Sequence, residues 1–388
     1  MLKDAIKKMR PEIVVVNTSE QTEREDALAL KIAKYYRAKT IAFGYNVTVQ
    51  RTAFMTRFPW VDIIIKKEAE ESLKEILAGD NLGNIKGICY RDERGCIIET
   101  PERPFITNLD AIPFGSHHLV DFTNYPYPLS GKPFTVIQVS RGCPFGCKFC
   151  LARYMNGLEF RTRSPRKVLD EIEYVVKELK ISIFFLRADT FTLDKRWIYQ
   201  FCKGIMQRGL HIEWFTNSRI DTIPDAYVPL MSASGCRIIG IGIESGIPKH
   251  QQLLGKNINL GIIDKKLVLL KRNGILSIIY FLIGQPYDTI RTINYNIHFS
   301  KTLHSTFVEF TPYIDFHEVE LKESSIKHQF SPALLKRLGK RGEFLFYMRP
   351  GKILELVKIV AIRMFHNRDH FFYPFFNMVR YFVRMLVK

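Results

Sequence analysis

The regular alternation of strand and helix signals constrains this chain most. From Phe134 onward, apolar runs of strand type recur at 135–140, 182–186, 212–216, 238–243, 276–283 and 307–311. Amphipathic helical stretches separate them. In 165–180, Val168, Leu169, Ile172, Val175, Val176 and Leu179 fall on one face of a helix with 3.6 residues per turn. Ser164 before Pro165 supplies an N-cap followed by proline at the first helical position. Six repeated strand-then-helix units make an α/β fold with parallel strands, an open or closed barrel.

Upstream, residues 12–17, 40–44 and 61–65 are three further strands separated by helical stretches. Such a set predicts an incomplete doubly wound, Rossmann-like sheet over residues 1–85. Residues 86–132, with Pro101, Pro104, Pro113, Pro126 and Pro128, read as a connector laid over the surface. The barrel is assigned to 133–314 and a helical extension to 315–388. That extension is basic: from Pro332 onward twelve Lys and Arg face three Asp and Glu, a net +9 out of +18 for the whole chain. It is also aromatic, with Phe371, Phe372, Tyr373, Phe375 and Phe376 close together.

The balance of 46% hydrophobic to 25% charged residues is that of a globular protein and excludes wholesale disorder. The longest uncharged stretch, 273–287, is shorter than the roughly 18 residues a membrane-spanning helix needs. An odd count of seven cysteines, with no apolar leader at the N-terminus, indicates a reducing, cytoplasmic compartment.

Three of those cysteines carry the sharpest motif, Ser140-Arg-Gly-Cys143-Pro-Phe-Gly-Cys147-Lys-Phe-Cys150. It follows the first barrel strand directly, and its glycines permit sharp turns. Three thiolates on one short loop suit zinc or an iron–sulfur cluster. Structural zinc usually takes four protein ligands, so a four-iron cluster with one open iron accounts better for three. Polar residues also stand after successive strands: Asp189 after the second, Arg219 after the third, Glu244 after the fourth and Asp288 after the fifth. Barrel enzymes assemble their sites at that face, so these groups should meet the cysteine loop there.

With these motifs the chain resembles the radical S-adenosylmethionine enzymes, in their cobalamin-binding-domain branch. Arg161-Thr-Arg163-Ser-Pro, Ala188-Asp189-Thr-Phe191, Trp214-Phe-Thr-Asn-Ser-Arg219, Gly242-Ile-Glu244-Ser-Gly246 and Phe281-Leu-Ile-Gly284-Gln-Pro286 follow that branch in order, over residues 10–350. The resemblance implies a partial (β/α)6 barrel, a [4Fe-4S] cluster on Cys143, Cys147 and Cys150, and S-adenosylmethionine chelating the open iron. It implies that Arg219 holds the cofactor's carboxylate, Asp189 its amino group, and Glu244 its ribose hydroxyls or amino group. Gly242 and Gly246 would let the backbone approach the nucleoside, and Asp288 completes the cofactor set. An electron donor of flavodoxin or ferredoxin type, a 5′-deoxyadenosyl radical, and methylation or cyclisation of an unreactive carbon follow from the same likeness.

Departures from the pattern bear on cofactor and activity. The chain begins about halfway through the family's cobalamin unit and has no D-x-H-x-x-G loop there, which leaves cobalamin an open question. Ala188 stands where relatives carry an acidic residue, and Asp288 where they carry Glu, so a non-catalytic paralogue acting as scaffold is the second reading. An RNA-modifying relative would carry three further N-terminal cysteines. Only Cys89 and Cys96 precede the loop, so nucleic acid is not expected as a partner. The basic tail instead predicts peripheral contact with the inner face of a membrane, near a small-molecule or lipid-like substrate. Ile353, Leu356, Val357, Val360 and Met364 are expected to form its apolar stripe.

Overall fold

The computed structural model describes residues 2–314 and 330–366, with side chains through 362. Two sheets organise them. In the first, β1 (Ile13–Asn17), β2 (Lys39–Phe43) and β3 (Ile63–Ile65) run parallel, with β1 at one edge. The all-isoleucine β3 is buried throughout, as a strand covered on both faces must be.

Two more strands join this sheet from the stretch expected to be surface connector. β4 (Ile88–Arg91) pairs antiparallel with β3, and β5 (Ile97–Glu99) antiparallel with β4. Their turn is built by Asp92, whose carboxylate accepts from the backbone N–H of Arg94 (3.0 Å) and Cys96 (2.8 Å), and by Gly95 at φ 81°. Strands of three and four residues show too little alternation to be read in a sequence, but Cys89 and Ile88 are fully buried against the parallel strands.

The second sheet is parallel throughout and follows sequence order. Its strands are β6 (Thr135–Gln138), β9 (Ile183–Arg187), β10 (Glu213–Ser218), β11 (Cys236–Glu244), β12 (Leu276–Ile283) and β13 (Phe307–Pro312). Each lies within a few residues of an expected run. A short antiparallel ladder, β7 (Ser140–Arg141) with β8 (Arg161–Thr162), frames the loop after β6. The helix Pro165–Leu179 buries Val168, Leu169, Ile172 and Val175, and the Ser164 hydroxyl caps it by accepting from Lys167 N–H at 3.2 Å. Aromatic residues fill the core beneath: Trp197 stacks on Phe201 with centroids 4.9 Å apart, and Phe191 lies 5.2 Å from Trp214.

Two buried ion networks fasten the pieces together. Glu68, just past β3, pairs with Arg161 (2.9 Å) and Arg141 (3.2 Å) of the short ladder, and Glu70 also pairs with Arg141. Glu171, inside the helix Pro165–Leu179, accepts from Arg163 (2.5 Å), contacts His117 (2.9 Å) and accepts from the Gly115 N–H (3.0 Å). That second network ties residues 115–117 to the main sheet.

At the far edge the helix Pro332–Tyr347 crosses β13 closely. A Cβ on Gly342 would lie 2.8 Å from the Phe310 ring. The Tyr347 hydroxyl donates to Val308 C=O (3.1 Å) and accepts from Val308 N–H (3.0 Å). The helix Pro350–His366 follows. Leu356, expected on its outer stripe, is instead buried, while Ile353, Leu354, Val357 and Ile362 face outward. Within this segment the inward face is set by contact with the preceding helix, which periodicity cannot register. The aromatic run 371–376 lies outside the described residues, and Met364 lies beyond the described side chains. Among the described residues no helix is long and apolar enough to cross a membrane.

Candidate active site

The cysteine loop leaves β7 through Gly142, at φ 84°, where a Cβ would run into the Glu159 carbonyl. Only glycine fits there. The Gly142 N–H donates to the Asp189 carboxylate (2.8 Å), and the Asn156 side chain donates to the same oxygen (2.9 Å). Asp189 therefore fixes the start of the loop. Its second oxygen takes no hydrogen bond from the described residues. The loop's middle is fixed by the Lys148 N–H, which donates to the Leu254 carbonyl at 2.9 Å, and its end by the Cys150 N–H bond to the Cys147 carbonyl (3.0 Å).

Burial pushes the Cys150 thiol up to about 11. It pushes Cys147 up as well, against the pull of Lys256 and Arg219, whose positive charges favour a thiolate there. Cys143 sits 3.4 Å from the Thr190 hydroxyl. Among the described residues no group of three or more His, Cys, Asp or Glu side chains is placed to hold a single metal ion.

Arg219 follows β10 and is 7% exposed. Its guanidinium donates twice to Asp221 (3.1 and 2.8 Å) and once to the Lys256 carbonyl (2.8 Å), and it stacks over Phe145 at 3.8 Å. One Nη1 donor reaches the Cys147 sulfur at 3.6 Å. Glu244 ends β11 after a bulge: Gly242 pairs with Tyr280 and Glu244 with Phe281, leaving Ile243 extra. The bulge and the positive φ of Glu244, 65°, turn its carboxylate toward Lys256, 2.7 Å away. A Cβ on Gly242 would collide with both charged tips.

Cys143, Cys147, Cys150, Asp189, Arg219, Gly242 and Glu244 are thus brought into one neighbourhood beyond the strand ends. Two other expected members are not. Gly246 packs against the Phe299 ring, with its N–H on the Asn296 carbonyl oxygen (2.8 Å). Asp288, fully buried, turns back on its own loop, accepting from the Gly284 and Gln285 N–H groups (2.9 and 3.0 Å) and the Thr292 hydroxyl (2.9 Å). Conversely, Lys256, Asp221 and Tyr280 belong to the neighbourhood and were not singled out in the sequence. Lys256 follows a short helix, Pro248–Leu253, and carries no positional signal beyond Gly255 before it.

A family model of the radical SAM superfamily matches residues 137–299. The chain carries a radical SAM domain. It is 29% identical over 378 residues to an uncharacterized methyltransferase of Pyrococcus horikoshii, covering 90% of this chain and 82% of that protein. It is 24% identical to the anaerobic magnesium-protoporphyrin IX monomethyl ester cyclase of Rubrivivax gelatinosus, covering 96% and 69%. Among solved structures, the radical SAM methyltransferase TsrM of Kitasatospora setae superposes with a TM-score of 0.67 at 18% identity, over 80% of this chain and 64% of that one. The cobalamin-dependent radical enzyme OxsB with aqua-cobalamin bound gives 0.66 at 17%, over 87% and 49%. The chain therefore spans less than two thirds of these solved relatives, and that likeness is one of fold. The radical SAM domain holds the whole neighbourhood described above and is homologous to methyltransferases and cyclases.

Proposed function

We propose that this protein uses a [4Fe-4S] cluster and S-adenosylmethionine to modify an unreactive carbon, by methylation or cyclisation. The observation that carries this reading is the meeting of the three-cysteine loop with Asp189, Arg219 and the Glu244–Lys256 pair. The donor set fits a cluster: three thiols share one glycine-hinged loop, and two cations stand near the middle thiol to favour its thiolate. Cys143, Cys147 and Cys150 would hold the cluster. When bound, it supplies the single electron that cleaves a sulfonium carbon–sulfur bond. The chain's own residues do the rest: Asp189 holds the loop in register, Arg219 donates toward the Cys147 sulfur, and the buried side chains exclude water from the neighbourhood.

Cobalamin fits the first sheet less well. Doubly wound sheets bind ligands beyond the C-terminal strand ends. Here Asn17 and Thr18 crowd the space over Gly44, and Lys66 is spent on Glu99 (2.9 Å) and Glu102 (3.2 Å). No step is assigned to it. The outward apolar residues of the helix Pro350–His366, together with the basic C-terminal stretch, favour a membrane-surface location and an apolar or lipid-like substrate. An electron donor of flavodoxin or ferredoxin type completes the reading.

The test is anaerobic reconstitution. Wild type should hold about four irons by the three-thiolate reading and release 5′-deoxyadenosine under dithionite, and Cys147→Ala should do neither. Equal nucleoside release by wild type and variant overturns the proposal, and so does a wild-type chain that takes up no iron. Gel filtration of the chain before reconstitution, mixed with cobalamin, should leave the protein peak without the cofactor's colour.

A further inference from the structure

The main sheet has two unlike faces. On one, Leu186, Ile239, Ile279 and Val308 are buried in the core beneath the helices. An all-parallel sheet is ordinarily covered on both faces. Here the alternate residues emerge on the second face, where Arg187, Asn217 and Glu309 are exposed and Val136 is 44% exposed. Strand register sorts that face into rows, because side chains two apart on a strand share a face. The lower row is aromatic: Val136 pairs with Phe185 and Phe185 with Phe215. The two rings stack at 5.1 Å, and Tyr127 stacks on Phe215 at 5.2 Å. One pleat nearer the cysteine loop, Gln138 pairs with Arg187, and Asn217 follows in the next strand. That row runs on through Gly240 to Ile278 and Phe307. It is polar at the β6–β10 end and apolar at the β12–β13 end.

The polar end is unspent. Among the described residues Arg187 makes no ion pair, and neither the Asn217 amide nor the Tyr280 hydroxyl makes a hydrogen bond. Asn217 and Tyr280 both close on Gly240, whose missing side chain leaves room for them. Burial, with the charges of Glu309 and Glu244, pushes Tyr280 up to about 12, so its hydroxyl stays a donor. Asp189, two residues past Arg187, holds the Gly142 N–H at the start of the cysteine loop. A ligand held at Arg187 therefore lies next to that loop. A guanidinium matches a carboxylate bidentately. One guanidinium balances a single negative charge, and Glu309 on the same face opposes a second.

We infer that the substrate is an apolar molecule bearing one carboxylate, held at that end by Arg187 and Asn217 with its body over Ile278 and Phe307. The inference rests on the radical SAM reading and narrows the apolar substrate proposed there. Arg187 and Asn217 are binding residues with no covalent role, and they set which substrates the face accepts.

Equilibrium dialysis tests this, run anaerobically on the cluster-loaded chain and on the chain before reconstitution. The probes are two matched pairs, 2-naphthoate with 2-naphthamide and decanoate with decanamide, which differ only in the charged group. Wild type should prefer at least one carboxylate to its amide. Arg187→Met, which keeps an apolar stem of similar length, should weaken that carboxylate roughly 10-fold, the scale of one charge-assisted hydrogen bond. It should leave the amide unchanged, and Arg187→Lys should recover part of the loss. Iron content and S-adenosylmethionine affinity of Arg187→Met should match wild type. The inference is overturned if wild type prefers neither carboxylate, if the preference survives Arg187→Met, or if that variant loses carboxylate and amide equally. Loss of iron by Arg187→Met would also overturn it, by placing the arginine in the cluster's support. A wild-type chain that takes up no iron yet prefers the carboxylate would strike the radical SAM reading and leave the anionic site standing.

Discussion

Arg141 and Glu68 lie 3.2 Å apart across the boundary between the two sheets, and Cys143 is two residues beyond that arginine. The first sheet thus grips the strand from which the cysteine loop springs. Glu68 also carries Arg161, itself only 6% exposed. Removing one partner of a buried pair leaves an uncompensated charge, at about 3–5 kcal/mol. Glu68→Gln should therefore lower the denaturant midpoint and reduce iron retention together. A variant that loses stability yet holds iron like wild type would show the grip to be irrelevant to the loop.

The two glycines flanking Glu244 should behave differently. An alanine at Gly246 meets the Phe299 ring, and overpacking of that kind costs about 1–3 kcal/mol. An alanine at Gly242 meets only the mobile ends of Glu244 and Lys256. Gly242→Ala should keep its thermal midpoint while losing affinity for S-adenosylmethionine; Gly246→Ala should lose midpoint first. Reversed outcomes would contradict the packing described.

Carboxylates of opposite character set the pH dependence. Burial alone would raise Glu171, but the His117 bond and the Arg163 charge hold it below the usual carboxylate range. Its contribution is present above the unfolded pKa of about 4.3 and is lost as pH falls through the folded value. Asp288 is the reverse case, raised by burial despite its bonds from Thr292, Gln285 and Gly284. Its contribution is present at low pH and is lost as pH rises through the folded value. Thermal midpoints against pH should show Glu171→Gln with a flattened acid limb. Asp288→Asn, which keeps an acceptor for the turn, should be tolerated at neutral pH with iron binding intact.

Membrane contact needs a test that spares the fold. Truncation at Glu343 would remove Phe346 and Tyr347, both buried, and would disrupt the packing on β13. Leu354→Glu with Val357→Glu changes only outward positions, 57% and 46% exposed. Wild type should sediment with anionic vesicles in a salt-sensitive way, since each basic residue near such a surface contributes about 1 kcal/mol. The double variant should stay in the supernatant. Equal recovery of both proteins with anionic and neutral vesicles would exclude this surface.

Much of this was legible in the residues. Period-2 and period-3.6 patterning marks the six parallel strands and their helices because each has one face or both against the core, and thiol spacing marks the loop. What escaped is what depends on neighbours distant in sequence. β4 and β5 are strands only because β3 offers them a buried edge. Lys256 joins the site because Arg219 holds its carbonyl, and Asp288 leaves it because its own turn offers two donors and the next helix a third. A residue type after a strand says that a polar group stands at the right end of the sheet. It does not say which way the group points.

The paired networks around Glu68 and Glu171 also bear on how such a chain can be recombined. Chimaeras between relatives are usually cut in proline-rich stretches, and residues 86–132 invite that. Yet a cut after residue 117 parts Gly115 and His117 from Glu171, and any exchange of the first sheet alone separates Glu68 from its two arginines. Every join within this stretch orphans a buried charge unless the acceptor chain brings the matching residue. Grafting should therefore proceed by complete networks, with the arginines travelling alongside the carboxylates they neutralise.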